Sequence, residues 1–183
     1  MFNVANTITL LRFALVPALA LQLIRSEYGT AFVLFIVSAL SDLADGIVAR
    51  RWKQGTRFGA VADPLADKLT MLTVTGLLTI QHALPWWFAL AVVLRDVLIV
   101  GGALAYHLWI GPVEMAPSRI SKLNTAMEFL VLLAVLAIQA GYAPDGLWRQ
   151  LLLYGTLGSI AWSGGHYVLV WGQKAAHGRR RVA

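Results

Sequence analysis

Six long apolar segments, separated by short polar stretches, dominate the pattern of the chain. They cover roughly residues 10–24, 30–50, 59–81, 86–109, 120–140 and 147–170. A helix needs about 20 predominantly apolar residues to cross the hydrocarbon core of a bilayer. The pattern therefore predicts an all-α integral membrane fold with six transmembrane helices.

The cations of the loops predict the orientation of these helices. With the N-terminus in the cytoplasm, the inner loops and the tail hold Arg50, Arg51, Lys53, Arg57, Arg119, Lys122, Lys174, Arg179, Arg180 and Arg181. The outer loops hold only Arg25 and Arg149. Because cytoplasmic loops of membrane proteins carry an excess of Lys and Arg, we expect both termini on the cytoplasmic side.

No internal repeat is apparent in the sequence, so the six segments are not predicted to form a repeat array. We expect a single transmembrane domain over residues 1–173, followed by a basic, disordered tail over 174–183 that lies on anionic headgroups. The N-terminus has no basic stretch before its apolar run, which argues against a signal peptide. A bacterial cytoplasmic (inner) membrane is the favoured location, with an organellar membrane open if a presequence was removed.

Composition argues against a water-soluble domain, against disulfides or thiolate metal sites, and against a nucleic-acid-binding protein. The chain is 58% hydrophobic and 13% charged, with a mean hydropathy of +0.69, whereas soluble domains are about 45–50% apolar and about 25% charged. It has no cysteine, which excludes disulfides and thiolate metal sites. The net charge of +6 fits cytoplasmic loops and anionic lipid better than nucleic acid, which we do not expect as a partner.

Four aspartates cluster around the connection between the second and third segments: Asp42, Asp45, Asp63 and Asp67. A charged residue within a membrane span costs roughly 2.5–3.5 kcal/mol on insertion scales. The spacings of three and four residues place each pair on one helix face. Two antiparallel helices can then bring four carboxylates to one site near the membrane surface.

Such a carboxylate cluster is suited to a hard divalent cation. Four carboxylates repel one another unless protons or cations intervene. Oxygen ligands without His or Cys favour Mg²⁺, Mn²⁺ or Ca²⁺. The alternative is that individual aspartates pair with Arg50, Arg57 or Lys68 in a purely structural role.

The aspartates belong to a longer pattern of fixed residues. It reads Asp42-x2-Asp45-Gly46-x2-Ala49-Arg50-x8-Gly59-x3-Asp63-x3-Asp67. This run resembles, at every position, the signature of the CDP-alcohol phosphatidyltransferases. The resemblance extends along most of the chain, because six spans with the signature across the second and third are also the layout of that family. It implies a polar cavity open to the cytoplasmic side, entry of lipid from the bilayer, and a homodimer.

The resemblance also implies a role for each signature residue. Two divalent metal ions, Mg²⁺ or Mn²⁺, would be held by Asp42, Asp45, Asp63 and Asp67. Asp67 would also act as general base. The pocket for the CDP moiety of CDP-diacylglycerol would be lined by Gly46, Ala49, Arg50 and Gly59. The acceptor oxygen would attack the β-phosphorus while CMP leaves, and metal bound to the diphosphate would neutralise charge and orient an in-line attack.

Two further segments bear on the acceptor alcohol. Asn6-x2-Thr9-x2-Arg12 resembles the opening of the glycerophosphate and cardiolipin branches of the family. The run Ser121-Lys122-x-Asn124-Thr125 has Asn where phosphatidylglycerophosphate synthases usually show a second Lys. One cation fewer suits the monoanionic phosphodiester of phosphatidylglycerol. We therefore favour phosphatidylglycerol as acceptor, as in cardiolipin synthases, with glycerol 3-phosphate as the alternative.

Candidate acceptor-binding residues are Arg95, Arg119, Lys122 and Asn124. Alternatively, Arg119 and Lys122 are only loop cations that follow the topology rule, and Arg95 pairs with Asp96. Glu128 either faces the polar cavity or is paired.

A transporter or ion channel is the competing class, because intramembrane carboxylates also mark ion pathways. The acidic cluster lies at one membrane edge rather than at the midplane, and no inverted repeat is visible, which disfavours that interpretation.

Overall fold

The computed structural model describes the backbone of residues 4–52, 57–109 and 119–179, and the side chains of residues 11–41, 62, 65–102 and 121–165. Six helices and no strand occur in this backbone: α1 Val4–Ile24, α2 Tyr28–Trp52, α3 Arg57–Ile80, α4 Trp86–Trp109, α5 Arg119–Gln139 and α6 Leu147–Arg179. The all-α prediction and the six helical segments are confirmed for the described residues. Helix α6 continues to Arg179, beyond the predicted end at 170 and into the predicted tail.

Three of the helices end in the same hydrogen-bonded turn. After α1, the amide of Glu27 donates to the carbonyl of Gln22, and that of Ser26 to Leu23. This pairing, five and three residues back, is the Schellman motif, which requires a left-handed residue at the turn. Ser26 adopts it with a φ of 59°.

The ends of α3 and α5 repeat this geometry. His82 has a φ of 59°, and Gly141, where the absence of a Cβ makes the conformation easy, has a φ of 75°. The amides of Ala83 and Tyr142 donate to the carbonyls five residues earlier, over 2.9 and 2.8 Å. These turns close the helix ends by satisfying carbonyl groups that have no partner within the helix.

Backbone contacts divide the chain into two units. Unit 1 contains Met1–Leu84 and Leu132–Asp145, and unit 2 contains Pro85–Val131 and Gly146–Ala183. The prediction of one domain over 1–173 stays a prediction.

In unit 1, α1 packs against both α2 and α3. The buried apolar side chains of this unit include Leu19, Leu23, Ala31, Phe35, Val74 and Leu78. Gln81 joins the ends of the three helices: its Nε2 donates to the carbonyl of Leu23, and its Oε1 accepts a hydrogen bond from the hydroxyl of Tyr28 over 3.2 Å.

In unit 2, α4 packs against α6. The rings of Trp87 and Tyr154 stack with their centroids 5.8 Å apart and their planes 12° from parallel. Gly155 lies close to the side chain of Met127, since a Cβ at that glycine would be 3.8 Å from the Met127 methyl carbon. The buried apolar side chains of this unit include Phe88, Val92, Val131, Leu153 and Ile160.

Many large apolar side chains of the described helices are exposed, while several charged and polar ones are buried. Val97, Leu98 and Val100 on α4 are more than half exposed, whereas Arg95 on the same helix is buried. Within the described residues, one helical stretch, Ser121–Gln139, is long and apolar enough to cross a membrane, and Leu11–Ile24 and Tyr28–Ser41 are shorter apolar helices. The predicted topology of six spans around a cavity stays a prediction.

Candidate active site

The four signature aspartates lie on two helices. Asp42 and Asp45 are in α2, and Asp63 and Asp67 are in α3. Spacings of three and four residues on an α-helix place each pair on one face. The helical placement expected for the signature is therefore present in the backbone.

The side chain of Asp67 is the part of this signature that the structure describes. The side chains of Asp42, Asp45 and Asp63 lie outside the described set, as do the side chains at Ala49 and Arg50 and the surroundings of Gly46 and Gly59. Among the described side chains, no group of three acidic or His residues could hold a metal ion. The metal site thus remains a prediction from the sequence.

Asp67 lies beside a buried arginine of α1. The Nη1 atom of Arg12 is 3.6 Å from Oδ1 of Asp67. The Arg12 side chain is 1% exposed, whereas that of Asp67 is 54% exposed. The carboxylate therefore borders a cation on one side and remains accessible.

Small residues on α3 form the buried face next to Asp67. Ala62, Ala66 and Thr70 follow one another at spacings of four residues, and all three are buried. The Thr70 hydroxyl donates to the Ala66 carbonyl over 2.9 Å and so needs no partner outside its own helix. Short side chains permit close helix packing, and α3 packs against α1, the helix that carries Arg12.

The contact of Arg12 with Asp67 was missed from the sequence, where Arg12 served only as a marker of the family branch. A signal was present, because Arg12, Leu19 and Leu23 are spaced by seven and four residues. This spacing places Arg12 on the same helix face as two leucines. A charged residue in such a row is a candidate for a functional role.

Arg95 in unit 2 has two partners. Its Nη1 donates to Oδ1 of Asp96 over 3.0 Å, and its Nη2 donates to the hydroxyl of Ser121 over 2.6 Å. The Arg95–Asp96 ion pair is therefore present, and acceptor binding by Arg95 stays a prediction. The guanidinium also connects α4 to the first turn of α5.

Asn124 is fully buried and bridges two helices. Its Nδ2 donates to Oε1 of Glu128 over 2.5 Å, and its Oδ1 accepts a hydrogen bond from the hydroxyl of Ser159 on α6 over 2.7 Å. Glu128 is 3% exposed, so the paired alternative for this residue is the one observed. The sequence gave no indication of Ser159, which is 35 residues away.

The remaining acceptor candidates lie near the start of α5. Lys122 is exposed, on a different face from buried Asn124. Arg119 is the first residue of the helix, and its side chain is outside the described set. The structure thus brings Asn124 into a buried network and leaves Lys122 at the surface.

The sequence model of one family, described as CDP-alcohol phosphatidyltransferase, matches residues 2–162. This match covers the signature, both units in part, and all of α1 to α5. The predicted resemblance is therefore confirmed.

Individual relatives carry the names of two related enzymes. The chain is 31% identical over 172 residues to a Mycobacterium tuberculosis protein named "Putative cardiolipin synthase", covering 92% of this chain and 78% of the relative. It is 34% identical over 146 residues to the CDP-diacylglycerol–glycerol-3-phosphate 3-phosphatidyltransferase of Pectobacterium atrosepticum. This alignment covers 74% of this chain and 77% of the relative. It is 26% identical over 167 residues to the human cardiolipin synthase (CMP-forming). This alignment covers 82% of this chain and 56% of the relative.

These matches decide between the classes of function that the intramembrane carboxylates allowed. A transporter or channel would not share a family model over most of its length with transferases of phospholipid biosynthesis. The chain belongs to the CDP-alcohol phosphatidyltransferase family, and it is an enzyme.

Proposed function

We propose that this enzyme transfers the phosphatidyl group of CDP-diacylglycerol to a hydroxyl of phosphatidylglycerol, releasing CMP and forming cardiolipin. The alternative acceptor is glycerol 3-phosphate, which would give phosphatidylglycerophosphate. Relatives with names for either reaction are similar to this chain. The acceptor therefore has to be argued from the residues of the chain itself.

The buried pair of Asn124 and Glu128 carries the choice of acceptor. Position 124 holds a neutral amide, and a carboxylate lies 2.5 Å from it. A phosphomonoester with two negative charges would be repelled by this acidic group more strongly than a phosphodiester with one. Phosphatidylglycerol carries one negative charge on a phosphodiester, and its glycerol hydroxyls can hydrogen-bond with amide and carboxylate groups.

The chemistry of the carboxylate ligands supports a site for two divalent metal ions, Mg²⁺ or Mn²⁺. The ligands would be Asp42, Asp45, Asp63 and Asp67. The family is generally dependent on divalent metal. Carboxylate oxygens are the ligands that these cations prefer, and the described carboxylate, Asp67, is accessible. When bound, such ions neutralise the diphosphate and favour departure of CMP.

The signature also binds the donor and moves a proton. Asp67 accepts the proton of the acceptor hydroxyl. The oxygen then forms a bond to the β-phosphorus, and the bond between that phosphorus and the oxygen of CMP breaks. The donor pocket is formed by Gly46, Ala49, Arg50 and Gly59.

A second group of residues binds the acceptor. Arg95, Arg119 and Lys122 supply positive charge for its phosphate. Arg95 is held by Asp96 and Ser121, so its guanidinium has a fixed orientation. Asn124 contributes to the acceptor site as a neutral residue whose amide is held by Glu128 and Ser159.

The enzyme works within a bilayer. Six transmembrane helices around a polar cavity open to the cytoplasmic side, with both termini in the cytoplasm, accord with the hydropathy pattern and the loop cations. Exposed apolar side chains beside buried Arg95 also fit a lipid environment. A bacterial inner membrane and a homodimer complete the proposal.

Release of labelled CMP from CDP-diacylglycerol in the presence of phosphatidylglycerol tests the donor reaction, because the phosphatidyl group leaves CMP when the acceptor oxygen takes it. Purified protein in detergent should release CMP when Mg²⁺ or Mn²⁺ is present and stop when a chelator is added. Absence of CMP release by folded protein with phosphatidylglycerol and with glycerol 3-phosphate would contradict the proposed donor chemistry.

A further inference from the structure

Arg12 occupies a position that the pattern of α1 would assign to an apolar residue. It lies on one helix face with Leu19 and Leu23, and all three are buried. Among the described side chains that are fully buried, Arg12 is the largest. An arginine in such a place is unfavourable unless its charge is compensated, because the guanidinium loses its hydration.

Arg12 forms an ion pair with Asp67, one of the signature aspartates. The distance of 3.6 Å between Nη1 and Oδ1 is too long for a good hydrogen bond but within the range of an ion pair. Arg12 is held by its burial, whereas Asp67 is 54% exposed. The fixed partner is therefore the arginine, and the accessible partner is the aspartate.

We propose that Arg12 is a positioning residue for Asp67. Its buried guanidinium attracts one side of the carboxylate and limits the rotation of that side chain, so that Asp67 faces the acceptor hydroxyl in one orientation. This inference rests on the proposed function, in which Asp67 accepts the hydroxyl proton. A general base needs its oxygen within hydrogen-bonding reach of the proton that it removes.

A purely structural role explains the arrangement less well. An apolar side chain of similar size at position 12 would pack with Leu19 and Leu23, and replacing buried ion pairs by apolar residues is often neutral or stabilising. Asp67 is half exposed, so it needs no cation for its burial. The charge of Arg12 is therefore better explained by the reaction than by the packing of α1 on α3.

The experiment compares Arg12→Met, Arg12→Lys and Asp67→Asn with the wild-type enzyme and with two controls. Leu19→Met tests a change on the same face of α1, and Arg25→Met tests the loss of an exposed cation. Four quantities are measured in detergent: kcat, KM for the acceptor, metal-dependent binding of CDP-diacylglycerol, and the thermal unfolding midpoint from tryptophan fluorescence.

Arg12→Met should lower kcat by about 10–100-fold, the usual loss when a group that orients a functional side chain is removed. Its unfolding midpoint, donor binding and KM should stay close to those of Leu19→Met. Arg12→Lys should recover part of the lost kcat, because an ammonium group retains the charge but not the shape of the guanidinium.

Three outcomes would overturn the inference. If Arg12→Met has wild-type kcat while Asp67→Asn is inactive, Arg12 does not position Asp67, although Asp67 is still the general base. A loss of donor binding in Arg12→Met would make Arg12 a ligand of the donor instead. If Arg12→Met fails to fold and Arg12→Lys folds with wild-type kcat, the charge is structural; a reduced kcat in a stable Arg12→Lys would support positioning. Full turnover by Asp67→Asn, in contrast, would reject the general-base role of Asp67 on which this inference rests.

Discussion

Asn124 donates a hydrogen bond to Glu128, one helical turn further along α5, over 2.5 Å between Nδ2 and Oε1. On its other side, the amide oxygen accepts a hydrogen bond from Ser159 of α6. The network joins a carboxylate, an amide and a hydroxyl within the buried part of unit 2. A charge introduced at position 124 would therefore meet Glu128 first, since residues four apart on a helix are neighbours.

This arrangement refines the expected effect of Asn124→Lys. We expect the single variant to raise the use of glycerol 3-phosphate relative to phosphatidylglycerol only slightly, because Lys at 124 would pair with Glu128. In the double variant Asn124→Lys, Glu128→Gln the lysine is not neutralised, and the preference should shift further. The ratio of kcat/KM values for the two acceptors measures both effects.

Glu128→Gln alone is the matched control, because it removes the negative charge without adding a cation. An unchanged acceptor ratio in the double variant would contradict the charge argument for this position. An equal shift in the control and in the double variant would assign the effect to Glu128 rather than to position 124.

Replacing the base should separate turnover from binding. Asp67→Asn keeps the size of the side chain but cannot accept the hydroxyl proton, so kcat should fall by at least about 100-fold, the lower range for loss of a general base. Metal-dependent binding of CDP-diacylglycerol should persist, since the other three aspartates remain. Near-native turnover in this variant would show that Asp67 is not the base.

Removal of a proposed metal ligand should act on the donor instead. Asp42→Ala should weaken the binding of CDP-diacylglycerol and raise the Mg²⁺ or Mn²⁺ concentration needed for half-maximal activity, because fewer carboxylates hold the cations. Asp145→Ala, which changes an exposed aspartate outside the signature, is the control. Identical metal dependence in the two variants would exclude Asp42 from the metal site.

Gln81 should contribute to stability without affecting the reaction. Its side chain bonds to the Leu23 carbonyl and to the Tyr28 hydroxyl, and each such bond stabilises a fold by about 0.5–1.5 kcal/mol. Gln81→Ala should therefore lower the free energy of unfolding by about 1–3 kcal/mol and leave kcat unchanged. Gln139→Ala, at an exposed position, should cost less than about 0.5 kcal/mol; equal losses in both would contradict the role given to Gln81.

Local features of the sequence predicted the helices and the spacing of the signature, because apolar runs and residue spacing are properties of one segment. The helix ends were harder to predict from the sequence, because Ser26 and His82 adopt the left-handed conformation that is usual for glycine. Arg12 beside Asp67, and Ser159 beside Asn124, are pairs formed by different helices. Their contacts depend on how the helices pack, which spacing within a segment does not determine.

The most direct test of the account is a comparison of acceptors with purified protein in liposomes. Labelled CDP-diacylglycerol and Mg²⁺ or Mn²⁺ are supplied with phosphatidylglycerol or with glycerol 3-phosphate, and the lipid products are separated by chromatography. We predict labelled cardiolipin from phosphatidylglycerol, with CMP released in equal amount and no product after chelation of the metal. Labelled phosphatidylglycerophosphate in place of cardiolipin would contradict the proposed acceptor, and the absence of any metal-dependent product would contradict the proposed reaction.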